Sequence, residues 1–359
     1  MRLLFITDKD VNLKSSGVQV MTNRNYNSFL SLFGELNTSV AKLEYIYYPS
    51  KLSKFISYLR GYNEFLNKRR LKEIVREASN YDYVVLDFSI WGVISKQLNK
   101  NNYRGKIICF FHNVEFMFLK QEFNLFNIYA WILLPNTYYN EKLSCKYSDI
   151  VISLNQRDAN NIKRLYGRTP HAIIPFSMED QLKSKEIVNR RIVSPFNVLF
   201  VGSYFWANIN GLKWFVNEVL KYLSNVRFTI VGNGMKEFEK LCLSKDITIF
   251  DRVDDLSPFY EDADFLVSPI FEGSGMKAKT AEGLMYGKNI VGTPEAFVGY
   301  EIEYEKVGML CETKEDFIHF FKFEAYKFTN SFNQYSREQF LKKYSFDSTV
   351  QLFKDILNI

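Results

Sequence analysis

The stretch FEGSGMKAKTAEGLMYGKNIVGTPE, residues 271–295, crowds glycines and lysines into one turn just after the apolar run DFLVSPI (264–270). A strand, a glycine-rich turn, a helical segment closing at Gly287 and a second apolar run, NIVGT (289–293), make one strand–helix–strand unit. Such a unit places backbone N–H groups and the positive end of a helix dipole where an anion can be held. Walker A requires G-x-x-x-x-G-K-[ST]. Lys277 follows Gly273 by four residues with no glycine directly before it, so that reading is excluded. Gly273, Gly275 and Ala278 do satisfy the dinucleotide pattern G-x-G-x-x-A, with Glu295 near the roughly 20-residue offset of a ribose-binding acid. That pattern has no use for Lys277 and Lys279, and Pro269, Ile270, Phe271 and Glu272 separate its glycines from the strand. A third reading takes a helix from about Gly275 to Gly287. Lys277 and Lys279, two apart, then approach an anion from different sides, while Lys279 and Glu282, three apart, share a face. Cations for a diphosphate and a carboxylate for sugar or ribose hydroxyls suit a sugar nucleotide. A solvated Lys/Glu helix start is the plain structural reading of the same residues.

The same alternation runs along the 359-residue chain in both directions. Strand candidates on the N-terminal side are LLFIT (3–7), YVVLD (83–87), KIICFF (106–111), DIVISL (149–154) and HAIIP (171–175). A polar stretch, SMEDQLKSKEIVNRRIVSP (177–195), precedes a second series: NVLFVG (197–202), RFTIVGNG (227–234), ITIFD (247–251), then 264–270 and 289–293. Alternation with helix-length segments predicts parallel sheets with crossover helices. The length exceeds what one core normally holds. The expected fold is therefore α/β, with two Rossmann-like doubly wound domains facing a cleft. Their expected bounds are residues 1–178, a linker at 179–195, and 196–335, with a helical segment at 336–359 packing back on the first domain. In FDSTVQLFKDILNI, Val350, Phe353 and Leu357 fall on one helical face, and Asp347 is a candidate N-cap. Ligands of open α/β sheets bind outside the carboxyl ends of strands, so polar residues at those ends carry the most functional weight.

Hydrophobic content of 47% and charged content of 24% describe a soluble globular chain. The longest apolar runs, such as YAWILLP (129–135), are far shorter than the roughly 20 residues of a membrane span. The start, MRLLFITDKD, reads as a first strand rather than a secretory signal. Cys109, Cys145, Cys242 and Cys311 are scattered without C-x-x-C, which indicates neither a disulfide framework nor zinc and favours the reducing cytoplasm. The net charge of +6 suits phosphorylated substrates or an anionic lipid surface and does not indicate nucleic acid. Residues 51–80 carry eight Lys/Arg against three Glu, interleaved with Leu, Phe, Ile and Tyr. This stretch is a candidate amphipathic helix for an anionic membrane, with a solvated helix face as the alternative. The aromatic run FNLFNIYAWILLP (123–135) suits either a lipid-linked acceptor or half-buried core. His112 and Asp87 both end buried-looking strands; a structural histidine and a helix cap are the plain alternatives to substrate contacts.

In this setting the opening stretch resembles the donor-site signature of retaining glycosyltransferases with the GT-B fold, family four (group 1). In a common branch, a strand ending in Pro leads to a glycine-rich loop, a basic residue, a second Lys, Glu-Ala or Glu-Gly, and a closing Gly. The chain supplies Pro269, Gly273, Ser274, Gly275, Lys277, Lys279, Glu282, Gly283 and Gly287, then NIVGT and Gly299, with Met276 in the same turn. Many members have an E-x7-E pair; here Ser274 occupies the first position, with Glu272 two residues earlier as a substitute. VGSYFWANINGLKWF (201–215) is similar to the first donor-domain turn, where Gly202 and Ser203 would lie beside the phosphates. Many members carry Arg and Lys there. Ser203 and Asn210 stand in their place, which shifts the charge work to Lys277 and Lys279. TIVGNG (229–234) and FDRVDDLSPFYEDADFLVSP (250–269) resemble the next two strands, with the backbone near Val253 close to the base. FFHNVE (110–115) resembles an acceptor-domain strand end whose His112 faces the cleft, and SSGVQVMTNRNY (15–26), with Gly17, takes the place of the acceptor-side glycine loop.

The resemblance implies retaining transfer from a nucleotide-sugar donor to a glycan or lipid-linked acceptor, in bacterial cell-surface polysaccharide or glycoconjugate synthesis. Lys279, Lys277 and His112 would be catalytic, Glu282 would hold ribose hydroxyls, and Gly17 and Asp87 would serve the acceptor. The nucleotide sugar is a co-substrate, and no cofactor is expected. Nor is a metal, since no D-x-D ends a strand suitably; DAD (262–264) precedes one. The expected location is the cytoplasm, with the inner face of the membrane as a candidate partner. Other classes left open are an NAD(P)-dependent oxidoreductase and a non-catalytic carbohydrate-binding protein.

Overall fold

The computed structural model describes residues 1–13, 16–121, 128–182, 187–240 and 247–359. It divides into two compact units: Met1–Pro175 joined by Thr349–Ile359, and Phe176–Ser348. Each unit is built on one parallel six-stranded sheet, so the α/β fold with two Rossmann-like domains is what the chain adopts.

In the first unit the strands are β1 (Leu3–Thr7), β2 (Thr38–Lys42), β3 (Tyr83–Leu86), β4 (Lys106–Phe111), β5 (Ile150–Ser153) and β6 (Ala172–Ile173). Their order is β2-β1-β3-β4-β5-β6, so the winding reverses between β1 and β3. All five residues of β1 are buried, as expected of a strand covered by helices on both faces. Leu4, Ile6, Val84, Leu86, Trp91 and Ile107 belong to one core. The C-terminal helix Phe346–Leu357 completes this unit: Phe353 packs its ring 4.5 Å from that of Phe29. Ser345 caps it, accepting from the Ser348 N–H at 3.2 Å, so Asp347 falls inside the first turn rather than at the N-cap.

The stretch 51–80 is not one amphipathic helix. It forms two, Lys51–Leu59 and Lys68–Ala78, the second capped by Asn67, which accepts from the Arg70 N–H at 2.9 Å. Gly61, at φ +83, turns the chain between them in the left-handed region glycine prefers.

The second unit contains β7 (Phe196–Val201), β8 (Val226–Val231), β9 (Ile247–Phe250), β10 (Phe265–Ser268), β11 (Asn289–Gly292) and β12 (Gly308–Leu310). Their order is β12-β11-β10-β7-β8-β9, which reverses between β7 and β10. Its core is rich in phenylalanine, including Phe196, Phe200, Phe215, Phe228, Phe265 and Phe317. Phe196 meets Phe265 edge to face at 5.6 Å. Two strands, β2 and β12, were not expected; both lie at sheet edges.

Residues 123–127 of the aromatic run, 183–186 of the expected linker, Ser15 and Cys242 lie outside the described residues. Cys109, Cys145 and Cys311 are buried free thiols. Among the described residues no helix is long and apolar enough to cross a membrane.

Candidate functional site

Open parallel sheets leave a crevice at the carboxyl ends of the two strands where the winding reverses. In the first unit those are β1 and β3, ending at Thr7 and Leu86. Asp87 follows directly and is fully buried. It accepts from Thr22 Oγ1 at 2.6 Å, Asn25 Nδ2 at 3.0 Å, Thr7 Oγ1 at 3.2 Å and His112 Nε2 at 3.1 Å. The carboxylate, expected to serve the acceptor, is thus surrounded by four protein donors and has no exposed surface. It orients His112, whose ring stacks on Phe88 at 4.3 Å and meets Phe110 edge to face. Among the described residues, His112 Nδ1 is buried without a hydrogen-bond partner. Arg24 stands beside Asp87 and is also buried; burial pulls its guanidinium down to about 9, with the Asp87 charge opposing. Gly17 is exposed at the first turn of helix Gly17–Phe33, where Ser16 caps by accepting from the Gln19 N–H at 3.3 Å.

The sequence reading passed over two carboxylates here. Glu141 is fully buried and accepts from Ser89 Oγ at 2.8 Å, Tyr166 OH at 2.6 Å and the N–H groups of Glu115 and Phe116. Burial raises it to about 7. Glu115 accepts from Asn113 Nδ2 at 2.6 Å and is pushed up to about 8, by burial first and by the Glu141 charge second.

In the second unit the reversal lies between β7 and β10. Gly202 follows β7, and the turn 269–277 follows β10. Helix Trp206–Trp214 lies hard against that turn: a Cβ on Gly211 would sit 1.9 Å from the Pro269 carbonyl oxygen. Gly273 (φ +129) and Gly275 (φ +62) occupy the left-handed region, which delays the helix to Ala278–Met285. Lys277 is therefore at the N-cap position rather than on the helix, and Lys279 lies in the first turn.

Lys279 is 9% exposed. Its Nζ donates to Asn208 Oδ1 at 2.8 Å and lies 4.0 Å from the centroid of the Phe200 ring. A Cβ on Gly202 would come 3.1 Å from that nitrogen. Burial pulls the ammonium down to about 7; the Lys277 charge adds to the shift and Glu282 opposes it. Lys277 reaches Glu295 Oε1 at 2.7 Å and the carbonyls of Ser274 and Gly275 at 3.3 Å. Glu295, the ribose-binding acid of the dinucleotide reading, is thus a lysine's partner. Glu282 is half-buried, raised by burial, and accepts from Tyr260 OH at 2.7 Å.

Residues 195–320 match the family model of glycosyl transferases, group 1. That segment contains every strand of the second unit, the turn 269–277 and the helix Ala278–Met285. Comparison with the curated proteins gives no match. Among solved structures, HepE of Anabaena in complex with UDP is similar over 100% of both chains, at 13% identity and a TM-score of 0.71. A sucrose-phosphate synthase of Thermosynechococcus elongatus covers 99% of this chain and 98% of its own at 12% identity, TM-score 0.71. WaaG, a glycosyltransferase involved in lipopolysaccharide biosynthesis, covers 99% of each at 14% identity, TM-score 0.68. At such identities the likeness is one of fold.

Within the group 1 segment the remaining expected residues are spread out. Met276 is buried, its sulfur accepting from the Phe176 N–H at 3.2 Å; Ser274 and Val253 are half-buried, and Ser203 and Glu272 are exposed. Asn210 is exposed too, on the opposite side of its helix from Asn208. The asparagine that meets the lysine is Asn208. No cluster of three or more His, Cys, Asp and Glu able to hold a metal gathers among the described residues.

Proposed function

We propose that the protein is a retaining glycosyltransferase that moves a sugar from a nucleotide-sugar donor to a glycan or lipid-linked acceptor, in building a bacterial cell-surface polysaccharide or glycoconjugate. The supporting observation is Lys279: a buried ammonium held by one neutral oxygen and a ring face, at the winding reversal of a group 1 segment. Its charge is under-compensated, and a diphosphate supplies the missing anion.

The diphosphate is assigned to the 273–279 turn, beside Gly202 and Ser203. Lys277, exchanging Glu295 for phosphate, and the N–H groups of Ser274 to Lys279 share the load with Lys279. As the bond from the anomeric carbon to phosphate breaks, negative charge grows on the leaving oxygen, and preorganised cations favour that state over the bound donor. The acceptor oxygen bonds to the same face and its proton passes to the leaving phosphate oxygen, which retains the anomeric configuration. Two lysines and the turn's N–H groups meet the charge without a metal. Glu282, oriented by Tyr260, takes ribose hydroxyls; the base lies by Val253, and Asn210 stays at the outer rim. His112, oriented by Asp87, takes a sugar hydroxyl, and Gly17 adjoins the acceptor. The cytoplasm, at the inner face of the membrane, is the assigned location.

UDP-sugars are the first donors to test, because the HepE complexes contain UDP, glucose and UDP-glucose. With the accepted donor, Lys279→Ala lowers transfer and donor hydrolysis at least about 100-fold, and a chelator leaves the wild-type rate unchanged. Near-normal turnover by that variant, or NAD(P) affinity without sugar-nucleotide affinity, sinks the reading.

A further inference from the structure

Helix Lys51–Leu59 is built inside out. Leu52, Phe55, Ile56 and Leu59 fall at i, i+3, i+4 and i+7, the spacing of one helical face, yet they are 66%, 39%, 40% and 69% exposed. The face turned to the protein is the polar one. Ser57 Oγ meets Tyr48 OH at 2.8 Å, Lys54 pairs with Glu64 at 3.3 Å, and Tyr58 is buried with its hydroxyl on Glu64. Asn136, on helix Ile128–Tyr147, donates to the carbonyls of Tyr58 at 2.6 Å and Tyr62 at 3.0 Å. Asn140 of the same helix donates to the Gly61 carbonyl at 3.0 Å. These contacts fix the rotation of the short helix, so its four apolar side chains cannot turn inward.

Cations bracket this face. Lys51 opens the helix, Arg60 follows its last residue, and both are exposed. Lys68, Arg69, Lys72 and Arg76 lie exposed on the next helix, whose own apolar residues Leu71, Ile74 and Ala78 are buried in the ordinary way. Tyr139 of helix Ile128–Tyr147, whose ring adjoins Gly61 and is 39% exposed, adds a ring type that favours a boundary between apolar and wet surroundings. Arg69 already pairs with Glu73 at 3.1 Å, but a buried apolar groove would take the apolar face and leave Lys51, Arg60, Lys68 and Lys72 unanswered. An anionic bilayer accepts both, with the face among the acyl chains and the cations at headgroup phosphates.

We propose that helix Lys51–Leu59 docks the first unit on an anionic lipid bilayer, lying in its interface with Leu52, Phe55, Ile56 and Leu59 inserted. The docking says where a lipid-linked acceptor is met and to that extent rests on the reading above; the binding itself rests on this face alone.

Flotation of the full chain with vesicles tests it. Wild-type protein floats with phosphatidylglycerol/phosphatidylcholine vesicles and stays behind with pure phosphatidylcholine. Leu52→Ser/Phe55→Ser/Leu59→Ser lowers partition on anionic vesicles at least about tenfold, since three inserted apolar side chains are lost. Its melting temperature falls by only a few degrees, because Leu52 and Leu59 are 66% and 69% exposed and Phe55 alone is mostly covered, and circular dichroism shows the variant folded. Lys51→Glu/Arg60→Glu lowers partition about tenfold and flattens its salt dependence. Unchanged flotation of the triple variant overturns the proposal, as does equal flotation on neutral vesicles. A wild-type dimer by light scattering that the triple variant abolishes, without flotation, assigns the face to a second copy instead. Failure of the transferase reading shows separately, as absent turnover of soluble nucleotide sugar by every variant, while flotation still decides this one.

Discussion

Lys279 is kept at a cost to stability, with a sign that can be worked out. Its folded value, about 7, lies below its ordinary value of 10.5. Between those values the unfolded chain binds a proton that the native one does not, so this group makes stability rise with pH from about 7 to 10.5. Below pH 7 both states are charged and the penalty is fully present. Lys279→Met should therefore melt higher than wild type at pH 6, with the gap closing towards pH 10, as followed by calorimetry. Each kcal/mol recovered moves the midpoint by about 2–4 °C. A diphosphate binding there restores the lysine's charge, so calorimetric titration with UDP near pH 8 should show proton uptake. Asp87 is the opposite case, an anion in demand from four donors. Asp87→Asn, whose amide offers hydrogens to groups that themselves donate, should cost about 2–4 kcal/mol in urea unfolding. Asp87 was legible because a polar side chain directly after an apolar strand stands out, and Lys279 because a lysine just past a glycine-rich turn does. Asn208 was not, since choosing it over Asn210 takes the helix phase, and an N-x-N pair states no phase.

The same limit recurs at the level of elements. Strands buried on both faces announce themselves as apolar runs, and β1, β4 and β7 lie within a residue of where their runs put them. The edge strands β2, TSVAK, and β12, GML, are covered less and are too polar or too short to form such a run. The composition of residues 51–80 suits one amphipathic helix, but Gly61 and Asn67 are stop and start signals inside it and divide it in two. The helix after the glycine-rich turn starts late because two left-handed glycines must be passed first. Gly211 fixes how closely helix Trp206–Trp214 approaches that turn. Gly211→Ala forces a methyl onto the Pro269 carbonyl and should cost about 1–3 kcal/mol. It should also weaken nucleotide-sugar binding, read by titration, because the displaced backbone leads into Gly273.

For the molecule as a whole, the first unit is discontinuous in sequence, closed by residues that come after the entire second unit. Phe353, 1% exposed between Phe29 and Phe110, carries much of that closure. Phe353→Ala should destabilise the first unit by about 3–5 kcal/mol. Thermal unfolding should then separate into two steps, with the later one still shifted upward by nucleotide sugar. This ordering has a consequence during synthesis on the ribosome. The unit that begins the chain cannot finish until Thr349–Ile359 has emerged, whereas Phe176–Ser348 is whole before that. The second unit can thus complete its fold ahead of the first, and a nascent chain stalled before Thr349–Ile359 would carry a finished second unit beside an open core that a chaperone would have to shield.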